Sequence, residues 1–392
     1  MLQGIIATAP MFACAFWCIA LLADVHHRNR AKKVFTLFMF AAFVLYFCHA
    51  AFCSWEYDLV KHLDSLYILV HLSVYPLYYL YLRALTDEKP LTWRVIWMFI
   101  PALGMSLYTF VLYRLMSAEE LMAFLLQVMY KQPGDHVFSF YGELQIWNQR
   151  IIPFLFLLTI LPVAWQGTRR IVQYNRRLED YYSNQEGKRL GLMRTMLTFF
   201  VICSATSAIF GILGRVSFVQ SPQLLLIPSV LFSTLLFMLG LVGFRQDFTV
   251  DDFKREASRS FSPDQESAED YAGKENRQEM QALRDRLIEL LEKEELFREP
   301  NLRITDLASR LGSNRTYTSR VINQELNTTF STLINNYRVE YSKQLLSNSA
   351  ASQLTLQQIA ENAGFASDSS FYRIFREATG ESPKNWYRKS IV

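Results

Sequence analysis

Two groups of side chains in this 392-residue sequence have types and spacing suited to chemistry. The first is His49 and His71, with Cys48, Cys53 and Glu56 close by in the chain. Imidazole, thiol and carboxylate donors can hold a small ligand or a metal ion. The second group is Arg315, Thr316, Ser319 and Arg320, followed further on by Asp368, Ser369, Ser370, Tyr372 and Arg373. These set hydrogen-bond donors and acceptors on the outward faces of short helices, which suits contact with nucleic acid. No His/Asp/Glu or Cys/His constellation stands at catalytic spacing, so an enzyme is not expected, and no catalytic residue, cofactor or metal set is assigned.

The elements that carry the two groups differ in kind. The chain has 40 Lys and Arg and 36 Asp and Glu, and the last 148 residues hold more than half of them. Half of the residues are apolar, which excludes a disordered or collagen-like chain, and five scattered cysteines argue against a disulfide framework. Seven apolar stretches, at roughly 2–23, 34–53, 66–85, 95–113, 150–168, 195–215 and 224–244, approach the ~20 residues that a helix needs to cross hydrocarbon. None of these stretches holds an acidic residue in its interior, and Arg83, Arg150 and Arg215 lie near their ends.

Loop charge orients the spans. Segments 24–33, 83–94 and 167–194 hold fourteen Lys and Arg, whereas 54–65, 114–150 and 216–223 hold four. The positive-inside bias therefore puts the N-terminus outside and the C-terminus in the cytoplasm. His49 and His71 then fall toward the outer ends of neighbouring spans. They form either a pocket that opens outward, with Glu56, or imidazoles satisfied by hydrogen bonds between helices, and the second reading is favoured. An amphipathic run from Ala118 to Tyr130 either covers such a site or, as favoured, lies on the membrane surface.

After residue 244 the composition changes. Residues 245–279 hold ten acidic and six basic side chains among several serines, the composition of a tether. Met280, Leu283, Leu287, Leu290 and Leu291 then share one helical face, either a short dimer-forming coil or, as favoured, a face that packs against the C-terminal domain.

Two helix-turn-helix patterns come next, at about 304–323 and 356–377. In the first, Ile304, Leu307, Ala308 and Leu311 make a buried face, Gly312 ends the helix, and Ser313 or Asn314 caps the next one, with Val321 and Ile322 inward. In the second, Thr355 and Gln358 form a capping box and Leu356, Ile359, Ala360 and Ala363 the buried face. Gly364-Phe365 then turns the chain and Ser367 caps a helix with Phe371, Ile374 and Phe375 inward. Between the two patterns, Phe330 to Leu346 predicts a helix roughly 25 Å long, able to hold two reading helices in successive major grooves. From Asn301 onward eleven Lys and Arg face seven Asp and Glu, the sign that phosphate binding requires.

Residues 302–389 resemble the DNA-binding module of the AraC/XylS transcription regulators. The resemblance is densest from Ile359 to Arg376 and in Thr379-Gly-Glu-Ser-Pro383. Ser319-Arg-Val-Ile-Asn323 with Asn335-Asn-Tyr-Arg-Val339 resembles the subgroup that carries an N-terminal multi-span membrane domain. The resemblance implies base-reading roles for Thr316, Ser319 and Arg320, and for Asp368, Ser369, Ser370, Tyr372 and Arg373, with Arg315 beside them. Arg can bond guanine O6 and N7 through two donors, and Ser and Asp suit adenine or cytosine edges. Thr318 stands where the family usually has an inward leucine, and Asn327 where it usually has glycine.

The expected protein is all-α: a seven-helix transmembrane bundle over 1–244, a charged linker over 245–279, and a cytoplasmic DNA-binding domain over 280–392. It is expected in the bacterial inner membrane, as a regulator that couples a signal sensed in or across the membrane to transcription. Its expected partners are double-stranded DNA, the lipid bilayer, RNA polymerase, an unknown signal molecule or membrane partner, and a second copy of itself. The alternative is a transporter or receptor-like membrane protein whose DNA-binding tail autoregulates its own locus.

Overall fold

The computed structural model describes residues 2–24, 29–87, 92–213, 222–259, 277–352 and 354–390. The described residues are helical throughout apart from loops and one isolated antiparallel bridge, Tyr182 with Arg303. The chain divides into two compact units. The first is 1–172 with 190–252, and the second is 173–189 with 253–392. Of the expected linker, 245–279, residues 260–276 lie outside the described residues, and Val250–Arg259 is a helix.

The first unit contains α1 (Leu2–Ala23), α2 (Arg30–Cys53), α3 (Tyr57–Thr86) and α4 (Ile100–Leu115), the last entered through a 3-10 helix, Trp93–Phe99. Then come α5 (Ala118–Ala123), α6 (Phe140–Glu179), α7 (Gly191–Leu213) and α8 (Pro222–Arg245). Six described helices are long and apolar enough to cross a membrane, against the seven stretches expected. The remaining stretch, 195–215, falls on α7, whose fully described apolar part, Gly191–Ala205, is shorter. Many of the large apolar side chains of these helices are exposed, including Phe12, Ile19, Leu107, Leu158, Leu161 and Ile227. A fold in water would bury such a surface, and one in lipid leaves it outward.

Two expectations about this unit are corrected. The third helix starts at Tyr57, nine residues before the apolar stretch, and so carries the buried Asp64 inside it. That carboxylate accepts hydrogen bonds from the Tyr113 hydroxyl at 2.8 Å and the Gln149 amide at 2.9 Å, which satisfy it away from water. The run Ala118 to Tyr130 does not merely lie along a surface. It forms α5 and a π-helical turn, and Phe124, Leu125 and Tyr130 are fully buried, with Tyr130 stacked on Phe52 and Trp55.

The second unit contains α9 (Val250–Arg259, from Phe253 on), α10 (Arg277–Glu292), α11 (Ile304–Arg310), α12 (Arg315–Glu325) and α13 (Phe330–Ser352). It ends with α14 (Leu356–Asn362), α15 (Asp368–Thr379) and α16 (Pro383–Ser390). Met280, Leu287, Leu290 and Leu291 of α10 are buried, and α10 packs on α12. The central helix α13 has 23 residues, which gives a rod of roughly 35 Å, longer than the ~25 Å expected and close to one turn of duplex DNA.

Along α13, Phe330, Ile334, Arg338, Ser342 and Leu346 recur every fourth residue and are all buried. The guanidinium in that stripe is surrounded by oxygen. Arg338 donates to the carbonyls of Phe297 at 2.8 Å and Glu299 at 2.6 Å, and to the Ser183 hydroxyl at 3.2 Å. Burial pushes Arg338 down to about 9, which still leaves it charged at neutral pH.

Candidate nucleic-acid interface

The second helix of each pair is held by local signals. In the first pair, Gly312 takes φ +64° to end α11, and the Asn314 side chain accepts from the Tyr317 amide at 2.8 Å to start α12. Thr318 is fully buried, and its hydroxyl donates to the Asn314 carbonyl at 2.9 Å, so the polar atom is satisfied within its own helix. Asn327 has φ +49°, the left-handed conformation that explains a glycine preference there and that asparagine tolerates. In the second pair, Thr355 and Gln358 exchange the capping-box bonds at 2.9 and 3.2 Å, and the Ser367 hydroxyl accepts from the Ser370 amide at 3.1 Å.

Gly364 makes the second turn possible. Its φ is +83°, and a Cβ built there would lie 2.5 Å from the Arg298 carbonyl oxygen, a backbone atom that cannot swing aside. Gly364→Ala is expected to destabilise the second unit by roughly 2–4 kcal/mol, combining the left-handed penalty with overpacking. The urea midpoint of α15 unfolding, followed by hydrogen exchange in the full chain, checks this. An unchanged midpoint would contradict the close approach.

Most of the expected contact residues reach the surface. Thr316, Asp368, Ser369, Tyr372 and Arg373 are exposed, and Ser319 and Arg320 are partly so. Ser370 is a correction. It is buried, and its hydroxyl donates to the Ser367 carbonyl at 2.8 Å. The phase of the helix explains this, because Ser370 lies one turn before the inward-turned Ile374 and beside the fully buried Phe371.

Sequence reasoning missed a set of residues that belong to the same unit. Arg315 lies over the Tyr181 ring, 5.0 Å from its centroid, and 6.0 Å from that of Phe253. Glu186 accepts hydrogen bonds from the hydroxyls of Ser367 and Ser369, the second at 2.7 Å. These two hydroxyls hold the Glu186 carboxyl below the usual carboxylate range, aided by the charge of Arg373. Segment 181–183 is tied to the start of the first helix pair, with Ser183 N–H donating to the Leu302 carbonyl at 3.2 Å and Ile304 N–H to that of Tyr181 at 3.1 Å.

One carboxylate collects three further contacts. Glu256 accepts from the Tyr182 hydroxyl at 2.7 Å and from Lys188 at 3.3 Å, and lies 3.5 Å from Arg303. Burial pushes the Tyr182 phenol up, and Glu256 pushes it further. No local periodicity in the sequence pointed to Tyr181, Ser183, Glu186 or Glu256, since each pairs with residues far away in the chain.

The histidine group lies in the first unit, where a cavity of about 490 Å³ is lined by His49 and His71 together with Lys131, Gln149, Ser204, Ser229 and several tyrosines, over a mainly apolar remainder. His71 stacks on Phe156 with centroids 4.1 Å apart, and Tyr67 contacts both imidazoles at 5.2 Å. Glu56 is not part of the lining and stands instead at the start of α3. Among the described residues no group of three His, Cys, Asp or Glu could hold a metal ion.

Residues 307–389 match the model of a family described as a helix-turn-helix domain. One solved structure is similar over 28% of this chain and 84% of its own: the C-terminal domain of AraT, a response regulator from Geobacillus stearothermophilus. It shares 27% sequence identity with this chain, with a TM-score of 0.24. No curated protein matches the sequence.

Proposed function

Because its C-terminal region is an AraC-type helix-turn-helix domain, we propose that this chain is a membrane-bound, sequence-specific transcription regulator. The observation that carries the reading is the pair of capped helix-turn-helix units on one central helix, each with polar side chains at the surface of its second helix. Residues Arg315, Thr316, Ser319 and Arg320, with Asp368, Ser369, Tyr372 and Arg373, meet DNA in this reading. The first unit sits in the bacterial inner membrane with its N-terminus outside, supported by its outward apolar surface and by the basic 24–33, 83–94 and 167–194 segments. Helix α6, which contributes residues to both units, is a physical route for a signal. Two copies bind paired half-sites and engage RNA polymerase.

Genome-wide DNA crosslinking of the full-length protein tests the reading, with the Arg320→Ala/Arg373→Ala variant alongside. Discrete sites that vanish in the variant are expected. Sites that persist unchanged would overturn the assignment.

The cavity of the first unit is the proposed signal site. Its described lining holds one lysine, two imidazoles, Gln149, Ser204 and Ser229, and no carboxylate, among aromatic and aliphatic side chains, which suits a small, largely apolar molecule with an acceptor-bearing head. Ala42 lines the cavity and is buried, so Ala42→Phe fills it. Native mass spectrometry of the purified full chain is expected to show a bound apolar species of low mass that the Ala42→Phe variant lacks. Equal loading of both proteins would remove the cavity from the mechanism.

A further inference from the structure

We infer that residues 180–186 of this chain are a built-in cover for its own DNA-reading surface, displaced when DNA binds. The inference rests on the DNA-binding reading above and concerns the regulation of that same surface.

Two contacts, one on each reading helix, come from a stretch of seven residues. At α15, Glu186 takes the hydroxyls of Ser367 and Ser369, the latter one of the residues assigned to DNA. At α12, Tyr181 takes the guanidinium of Arg315 on its ring face, and the negative charge of Asp180 lies near the same arginine. A carboxylate at the first turn of a helix, held by hydroxyl donors, offers the same chemistry as a DNA phosphate at that position. Glu186 and a duplex therefore compete for the same donors. Like charge sharpens the competition, because a bound duplex would bring its phosphates against Asp180 and Glu186.

The segment is anchored, so the cover is a defined arrangement. Ser183 accepts from Arg338 at 3.2 Å and donates its hydroxyl to the Leu302 carbonyl at 2.8 Å. Tyr182 and Lys188 both meet Glu256. Ser367, Ser369 and Arg315 are exposed or half-exposed, so the Glu186 contacts can be given up at the surface, whereas Tyr181 under Arg315 is fully buried and stays with the core. The 180–186 segment also follows directly on α6, so a movement of that helix reaches the cover through the chain itself.

The test uses the full chain in phospholipid nanodiscs and, as probe, a randomised 35-base-pair duplex library, with binding and enriched sequences read together. Glu186→Gln keeps the side-chain size and removes the charge. It is expected to raise library affinity on the order of tenfold and to keep the enriched sequence. Glu340→Gln removes an exposed carboxylate that pairs with Lys343 on α13, and is expected to change affinity less than twofold. Affinity of Glu186→Gln that is unchanged, lowered, or raised no more than that of Glu340→Gln would overturn the cover. Arg373→Ala in the same assay separates the two readings. If it leaves both affinity and the enriched sequence intact, the DNA-reading assignment has failed. If it lowers affinity or relaxes the enriched sequence while Glu186→Gln has no effect, the assignment stands and the cover alone is refuted.

Discussion

Arg338→Ala is expected to cost about 3–5 kcal/mol in the stability of the second unit, the sum of stranded neutral acceptors and the cavity that a large buried side chain leaves. The wild-type guanidinium satisfies the carbonyls of Phe297 and Glu299 and the Ser183 hydroxyl in a place closed to water. Alanine strands the Phe297 carbonyl, at roughly 1–3 kcal/mol, takes one donor from the Glu299 carbonyl, which keeps the Leu302 N–H at 3.3 Å, and opens a cavity between α13 and the 297–300 segment. Arg338→Lys should recover less than half of the loss, because an ammonium cannot reproduce the forked donor geometry. Native-state hydrogen exchange of the α13 amides in the full chain gives the opening free energy directly. A loss under about 1 kcal/mol for the alanine variant would mean that the segment rearranges around the gap.

The second large effect concerns DNA. Arg320→Ala and Arg373→Ala are each expected to remove roughly 1–3 kcal/mol of specific binding, about 5- to 150-fold, and to relax the base preference at one position of the site. The two side chains sit on different helices, so the losses should be close to additive in the double variant. Arg373 also pairs with Glu377 one turn along its own helix at 3.2 Å, a pair that DNA must break or share. Titration against sites recovered by crosslinking, at two salt concentrations, distinguishes the roles. Loss of base preference marks a base contact, whereas a uniform loss with a shallower salt slope marks a phosphate contact.

Local chemistry made the helix pairs readable. Thr355 with Gln358, Ser367, Asn314 and the left-handed Gly312 and Gly364 act within a few residues of themselves, so their spacing carries the structure. Apolar runs marked the long helices for the same reason. What escaped depends on distant partners. Asp64 falls outside the predicted span because the apolar run starts after it, and its burial is met by Tyr113 and Gln149, 49 and 85 residues away. Ser370 and Arg338 are partly legible from helix phase. Ser370 precedes the inward-turned Ile374 by one turn, and Arg338 interrupts the stripe from Phe330 to Leu346 at a position that must be buried. The Glu186 contacts had no local trace at all, since Ser369 lies 183 residues further along.

That separation bears on the order of events during synthesis. Residues 181–186 leave the ribosome first, and their partners follow 119 residues later at Leu302, 155 later at Arg338 and 183 later at Ser369. At the ~5–20 residues per second of translation, the last of these appears roughly 10–40 seconds after the segment itself. The segment is thus already in place when α15 emerges, and the competing ligand for its serines is tethered to the same chain at high effective concentration. A nascent copy of this protein would therefore complete its fold with the reading helices engaged, before duplex DNA has competed for them.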